Sequence, residues 1–101
     1  MMLKYILEGK EPKPIEDLIE WSQWFGTADR KVALTKLPNN VRVSTVFLGL
    51  DHNFAGGIPI LFETMIFGGE HDQYQERYAT WDEAEEGHKK AVVIAKGKEK
   101  K

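Results

Sequence analysis

The sequence contains no cysteine. This absence excludes disulfides, thiolate catalysis and any zinc site with cysteine ligands. No apolar run approaches the roughly 18 residues needed to cross a bilayer, and the first residues become charged too early for a signal peptide. The sequence therefore predicts a cytoplasmic protein without membrane contact.

An excess of charge of either sign is also missing. The chain has 14 lysines and arginines against 16 aspartates and glutamates, a net charge of −2. Without a strong positive field, non-specific binding to phosphate backbones should be weak, so we expect no nucleic-acid partner. A length of 101 residues suffices for one domain. We place that domain at residues 1–95 and a flexible basic tail at 96–101.

Hydrophobic periodicity predicts an α+β fold, an antiparallel β-meander of four to five strands with two α-helices in the order β-α-β-β-β-β-α. The first helix is expected from about Ile15 to Phe25, after Pro14 and before a stop at Gly26. The expected strands are Leu3–Leu7, Lys31–Leu37, Val41–Leu50, Ile58–Gly69 and Tyr74–Thr80.

The apolar stripe of the first helix leaves one tryptophan unexplained. At 100° per residue, the residues that share a face are Ile15, Leu18, Ile19, Ser22 and Phe25, with Trp21 at the border. Trp24 projects away from this stripe. It either packs under a neighbouring loop or anchors an interface, where tryptophan is enriched.

The last helix has the clearest local signal. In "TWDE", Thr80 and Glu83 form a capping box, in which each side chain accepts the backbone N–H of the other. The helix should run to about Ala95. Gly87 beside its inner stripe indicates a close packing contact, and His88 on that stripe is interpreted as a partly buried, hydrogen-bonded histidine.

The central strands are apolar on both faces, and two helices cannot cover both. An uncovered apolar face usually meets a partner, so we predict a homo-oligomer, with a dimer as the first expectation. Glu63 is a charge within the apolar "LFETMIF". It is interpreted as half of a cross-strand ion pair with Arg42 or Arg77, or as a carboxylate facing a ligand or a partner subunit.

Tracing the meander brings several polar and aromatic residues to one end of the sheet. The first helix ends there, the strand that starts at Lys31 begins there, and the last helix starts there. The candidate binding residues at this end are Arg30, Asp51, His52, Asn53, Tyr78, Thr80 and Trp81. The helix N-terminus among them would attract an anion or the carboxylate of Asp51.

Asp51 and His52 form an acid/base pair in principle, but adjacent residues rarely point the same way. The alternative is that Asp51 caps a turn while Gly56 and Gly57 permit positive φ. His52 and His71 fall at opposite ends of one strand, so we predict no metal site. No phosphate loop, nucleophile elbow or dinucleotide fingerprint is present, and we predict no cofactor.

The segments "EWSQWFGTADRKVA", "VSTVFLGLDHNF", "PILFETMIFGG" and "QERYATWDEAEEGH" resemble a family of small proteins encoded in tailed-phage and prophage genomes. The resemblance covers about Tyr5 to Val92 and implies expression in an infected or lysogenic bacterial cytoplasm. It implies no activity and no functional residues.

Three hypotheses for the function follow from the sequence. The first is a non-enzymatic accessory protein that binds a host protein or a small anionic ligand held between subunits, as an inhibitor of host defence would. The second is a small hydrolase-like enzyme that uses Asp51 and His52, with Glu63 as an additional candidate. The third is a minor structural protein of the virion.

Overall fold

The fold is described for residues 3–97 by a computed structural model. It contains two antiparallel sheets and two helices, so the predicted α+β class is confirmed. The elements are β1 (Lys4–Glu8), β2 (Glu11–Ile15), α1 (Leu18–Thr27), β3 (Lys31–Leu37), β4 (Val41–Phe47), β5 (Phe62–Phe67), β6 (Gln75–Tyr78) and α2 (Trp81–Lys96). The predicted basic tail lies outside the described residues apart from Lys96, which ends α2, and Gly97, which caps it.

The hairpin of β1 and β2 is absent from the predicted element order. The two strands pair antiparallel over their full lengths, and Gly9 turns the chain between them with a φ of +65°. Pro12 and Pro14 lie inside β2 at alternate positions. Their presence argues against a strand in the sequence, but proline is tolerated where the missing N–H would face away from the ladder.

Helix α1 has different ends from those predicted. Asp17 is its N-cap, and the carboxylate accepts the backbone N–H of Ile19 at 2.9 Å. The helix then continues through Gly26 to Thr27. The predicted start near Ile15 and stop at Gly26 are therefore wrong, because a side-chain cap fixes the start and glycine does not stop a helix that remains packed.

The inward face of α1 also differs from the predicted stripe. Leu18 and Ile19 are exposed. Trp24 packs edge-on against Phe47 with ring centroids 5.8 Å apart, so it contacts the core sheet rather than a neighbouring loop, and the predicted stripe is not the face that packs inward. The rotation follows from Trp21, whose indole N–H lies within hydrogen-bonding distance of main-chain carbonyls in β1 and after β4.

The predicted meander is confirmed in the larger sheet, whose strand order is β3-β4-β5-β6 with antiparallel neighbours. Asn39 and Asn40 turn the chain between β3 and β4 with φ of 66° and 62°, a conformation that asparagine tolerates better than most residues. At the centre of the sheet Thr45 lies directly opposite Thr64.

Helix α2 packs across one face of this sheet and starts at the predicted capping box. Thr80 Oγ1 accepts the N–H of Glu83 at 3.1 Å, and Glu83 Oε1 accepts the N–H of Thr80 at 3.4 Å. His88 is buried and hydrogen-bonded, as predicted. The buried apolar side chains between α2 and the sheet are Val43, Phe47, Leu61, Phe62, Ile66, Ala84 and Ala91.

The close contact predicted at Gly87 is with Tyr78. A Cβ atom at position 87 would overlap the phenol ring and hydroxyl of Tyr78. The absence of a side chain at Gly87 therefore lets β6 and α2 approach this closely. The stability gained from this packing outweighs the low helix propensity of glycine.

The opposite face of the sheet carries half-exposed residues such as Val46 and Met65. Near its β6 edge Glu63 Oε2 accepts hydrogen bonds from Arg77 Nε at 3.0 Å and from Gln75 Nε2 at 2.6 Å. The predicted cross-strand ion pair is confirmed with Arg77 as the partner.

Candidate functional site

The loop from Asp51 to Pro59, here called the Asp51 loop, is held closed by its first residue. Asp51 Oδ1 accepts the backbone N–H of Asn53 at 2.8 Å and that of Ile60 at 2.9 Å. The N–H of Asp51 donates to the carbonyl of Leu3 at 3.0 Å. The carboxylate thus joins the beginning of the loop to the residue after its end, which is the turn-capping role that the sequence left open.

His52 is also tied to the backbone. Its Nδ1 lies 2.9 Å from the carbonyl oxygen of Leu50, so Nδ1 carries the proton and donates it in this bond. Its N–H donates to the carbonyl of Ile60 at 2.9 Å. These bonds direct the Asp51 and His52 side chains to different backbone groups, so their geometry does not form a coupled acid/base pair.

Asn53 braces the interior of the same loop. Its Oδ1 accepts the N–H of Ala55 at 3.2 Å, and its Nδ2 donates to the carbonyl of Ile58 at 2.7 Å. Between and beside these braces, Phe54 is 74% exposed and Ile58 is 72% exposed. The loop therefore holds two large apolar side chains in water on a hydrogen-bonded frame.

A groove of about 570 Å³ lies between the β1–β2 hairpin and the start of α2. We call it the hairpin groove; its lining residues are Tyr5, Lys10, Glu11, Pro12, Ile58, Pro59, Leu61, Ala79, Thr80, Trp81 and Asp82. Ile58 belongs both to this groove and to the Asp51 loop. The exposed loop and the groove therefore form one continuous surface.

Trp81 contributes an aromatic wall to the hairpin groove. Its ring meets Phe62 edge-on at 6.2 Å between centroids, and Lys10 Nζ lies 5.9 Å from its ring centroid. Its indole N–H is buried and has no hydrogen-bond partner among residues 3–97. A buried donor of this kind costs free energy, which the packing of the Trp81 ring has to offset.

The remaining predicted site residues are not gathered at this groove. Arg30 stacks its guanidinium over Phe25, 4.0 Å from the ring centroid, and donates to the carbonyl of Phe47 at 3.0 Å. Tyr78 lies under α2 beside Gly87. Burial raises the pKa of Tyr78 above its ordinary value of 10.0, against a lowering contribution from the hydrogen bond to Thr64. Both side chains join secondary-structure elements to one another.

The charges around the start of α2 do not favour an anion. The side chains of Thr80 and Glu83 already bond backbone N–H groups of this turn. Asp82 and Glu83 add two carboxylates to the first turn, facing the positive end of the helix dipole. The predicted attraction of an external anion is therefore opposed by the chain's own acidic residues.

The two apolar side chains of the Asp51 loop and the hairpin groove were missed as site features in the sequence. Phe54 and Ile58 stand out once the loop is known to be braced, because "DHN" then predicts side-chain-to-backbone turns around an apolar residue. The hairpin groove could not be predicted, because one of its walls is the β1–β2 hairpin, and the prolines in β2 argued against a strand there.

None of the protein-family models, curated proteins or solved structures compared with this chain matches it. Within residues 3–97, no helix has the length and apolar character needed to span a membrane.

Proposed function

We propose that this chain is a non-enzymatic binding module, an accessory protein of a phage or prophage that docks on a protein of the bacterial host. The surface that we assign to docking is the Asp51 loop together with the hairpin groove. The observation that carries the proposal is that Phe54 and Ile58 are exposed on a loop braced by Asp51 and Asn53.

The bracing matters because association requires the ordering of flexible surface groups, which opposes binding. A loop that is already ordered loses little conformational entropy when a partner covers it. Burial of a phenylalanine or isoleucine side chain contributes about 1.5–3 kcal/mol each. Phe54 and Ile58 together thus supply a substantial part of the free energy of a moderate-affinity complex.

A protein partner fits this surface better than a small anion. The rim of the hairpin groove combines Lys10 with Glu11 and Asp82, and its walls are largely apolar. Mixed charge around an apolar centre is the usual composition of a protein–protein interface. An enzymatic function receives less support, since the Asp51 carboxylate and His52 Nδ1 are both bonded to the loop's own backbone.

The test compares matched charge insertions at exposed apolar residues. The full chain, Ile58→Asp, Phe54→Asp and the control Val93→Asp are immobilised and exposed to a lysate of the bacterial host. Val93 is 63% exposed on α2 and lies outside the proposed surface. We expect a host protein that is retained by the wild type and by Val93→Asp and is lost with either loop variant, all four proteins having the same circular dichroism.

Retention of the same protein by the loop variants would refute the proposed surface. Equal loss with Val93→Asp would show that the host protein binds non-specifically rather than at this surface.

The homodimer predicted from the sequence stays a separate prediction. Sedimentation velocity over a concentration series would test it, with Met65→Lys on the exposed sheet face expected to give a monomer.

A further inference from the structure

The outer edge of β6 is a second candidate binding surface, and it offers main-chain hydrogen-bonding groups rather than the exposed apolar side chains of the Asp51 loop. β6 is the last strand in the order β3-β4-β5-β6, and within the described part of the chain no strand pairs with its other side. The carbonyls of Tyr74 and Tyr78 point toward β5 and accept the N–H of Ile66, within β5, and of Leu61, just before it. Main-chain groups alternate sides along a strand, so Gln75 and Arg77 direct theirs outward.

The next outward N–H along this edge is already used, because that of Ala79 donates to Glu83 Oε1 at 3.1 Å. The N–H and C=O groups of Gln75 and Arg77 have no such partner among residues 3–97. Two residues with both main-chain groups free offer four hydrogen bonds in the geometry that an added strand requires.

A groove of about 690 Å³ runs between this edge and α2, and we call it the β6 groove. The sheet side of the groove includes the tyrosines at 74 and 78 and the carboxylate of Glu76 between them. The helix side includes Asp82, Glu86 and Gly87, against which the Tyr78 phenol packs. A strand added to β6 would point every second side chain into this space.

The charge of the β6 groove selects the kind of side chain that fits. Glu76, Asp82 and Glu86 line it together with the capping residue Glu83. The cations near them are Lys90, which also lines the groove, and Lys89, whose Nζ lies 3.4 Å from Glu86 Oε2 at the exposed surface of α2. Arg77 also borders the groove, but its guanidinium is paired with Glu63. These carboxylates are exposed; a cluster of like negative charge favours cationic side chains, to which the tyrosine faces add a cation–π contribution.

We propose that the β6 groove binds an extended segment of a partner protein that carries lysine or arginine at alternate positions, by addition of that segment as a strand beside β6. Main-chain hydrogen bonds to Gln75 and Arg77 hold the segment, and the carboxylates of the β6 groove bind its cationic side chains. A second copy of this chain is a poor occupant, since pairing two β6 edges would bring two acidic grooves together.

The probe is an eight-residue peptide of alternating threonine and lysine, blocked at both ends, titrated into the full chain and followed by amide NMR. We expect shifts along β6 and slowed hydrogen exchange at the amides of Gln75 and Arg77. The matched peptide with glutamate in place of lysine should not bind. The Ile58→Asp variant should bind the probe like the wild type, so the result is independent of the function proposed above.

Two variants separate strand addition from diffuse charge attraction. Gln75→Pro removes an outward main-chain amide and keeps the main-chain donors to β5, and it should weaken the peptide about tenfold. Gln75→Ala, which loses the same side-chain bond to Glu63 but keeps the amide, should bind the peptide like the wild type. Glu86→Lys should weaken it at least as much, whereas Glu85→Lys, with the same charge change outside the groove lining, should have a clearly smaller effect. Equal effects of the two lysine variants would overturn the proposal, as would unchanged exchange at Gln75 and Arg77. A dimer that Gln75→Pro dissolves would assign this edge to a second copy and also overturn it.

Discussion

His88 Nδ1 lies 2.7 Å from Thr45 Oγ1, which joins the middle of α2 to the centre of the sheet. The other ring nitrogen lies 2.8 Å from Thr35 Oγ1, and Thr45 in turn bonds Thr64. A row of hydroxyls from three adjacent strands is thus organised around one imidazole. Buried polar groups are stabilising when each has a partner, and this row fixes the register between helix and sheet.

The first prediction concerns acid. Burial lowers the pKa of His88 below its ordinary value of 6.5, so the unfolded chain takes up the proton first as the pH falls. The stability contributed by neutral His88 is complete above about pH 6.5 and is lost as the pH falls from there toward the folded pKa. Urea unfolding at about pH 7.5 and about pH 5.5 should show a lower free energy of unfolding in acid. His88→Gln should flatten this dependence, and an unchanged slope in His88→Gln would refute the assignment.

The second prediction compares two helical glycines. Gly87→Ala forces a methyl group into the Tyr78 phenol, and we expect a loss of about 1–3 kcal/mol despite the better helix propensity of alanine. Gly26→Ala has open space around the new methyl group and should gain about 0.5–1 kcal/mol. Chemical denaturation measures both. Stabilisation by both substitutions would show that β6 and α2 do not approach as described.

The third prediction tests the clamp of the Asp51 loop. Asp51→Ala leaves two backbone N–H groups without their acceptor and should cost about 1–3 kcal/mol. Hydrogen exchange at the Ile60 amide should accelerate. Asp51→Asn retains an acceptor oxygen and should recover part of the loss, while Asp72→Ala, which releases a single exposed N–H, should cost less. A full loss in Asp51→Asn would mean that charge, rather than geometry, closes the loop.

The fourth prediction distinguishes a core tryptophan from an interface tryptophan. Because Trp24 packs on Phe47, Trp24→Ala should lower the free energy of unfolding by about 3–5 kcal/mol. Leu18→Ala, an exposed position on the same helix, should change it by less than about 0.5 kcal/mol. If Trp24→Ala is as mild as Leu18→Ala, the aromatic contact does not contribute to the core.

Local chemistry made part of this fold predictable. The start of α2 depends on Thr80 and Glu83, which are three residues apart, and the β3–β4 turn depends on adjacent asparagines. Glu63 also found its partner through simple strand pairing, since Arg77 lies directly opposite it. Such features are decided within one element or between neighbours in a meander.

The features that were not predicted depend on contacts between distant segments. Trp21 turns α1 by bonding to the carbonyls of Tyr5 and Gly49, which periodicity within the helix cannot reveal. The hairpin groove escaped prediction for the same reason. Its walls come from three parts of the chain, and one of these parts contains two prolines that argue against the strand it forms.

Those prolines have a consequence for how the molecule meets other chains. Pro12 and Pro14 occupy alternate positions of β2, so both missing amides belong to the side of the strand away from β1. An approaching strand would find carbonyl acceptors there but too few donors, which discourages stacking of hairpins into fibres. Recognition at the hairpin must therefore rely on side chains and be selective for sequence. β6 offers main-chain groups instead, so at that edge the backbone holds an added strand and only the side chains that enter the acidic groove are selected.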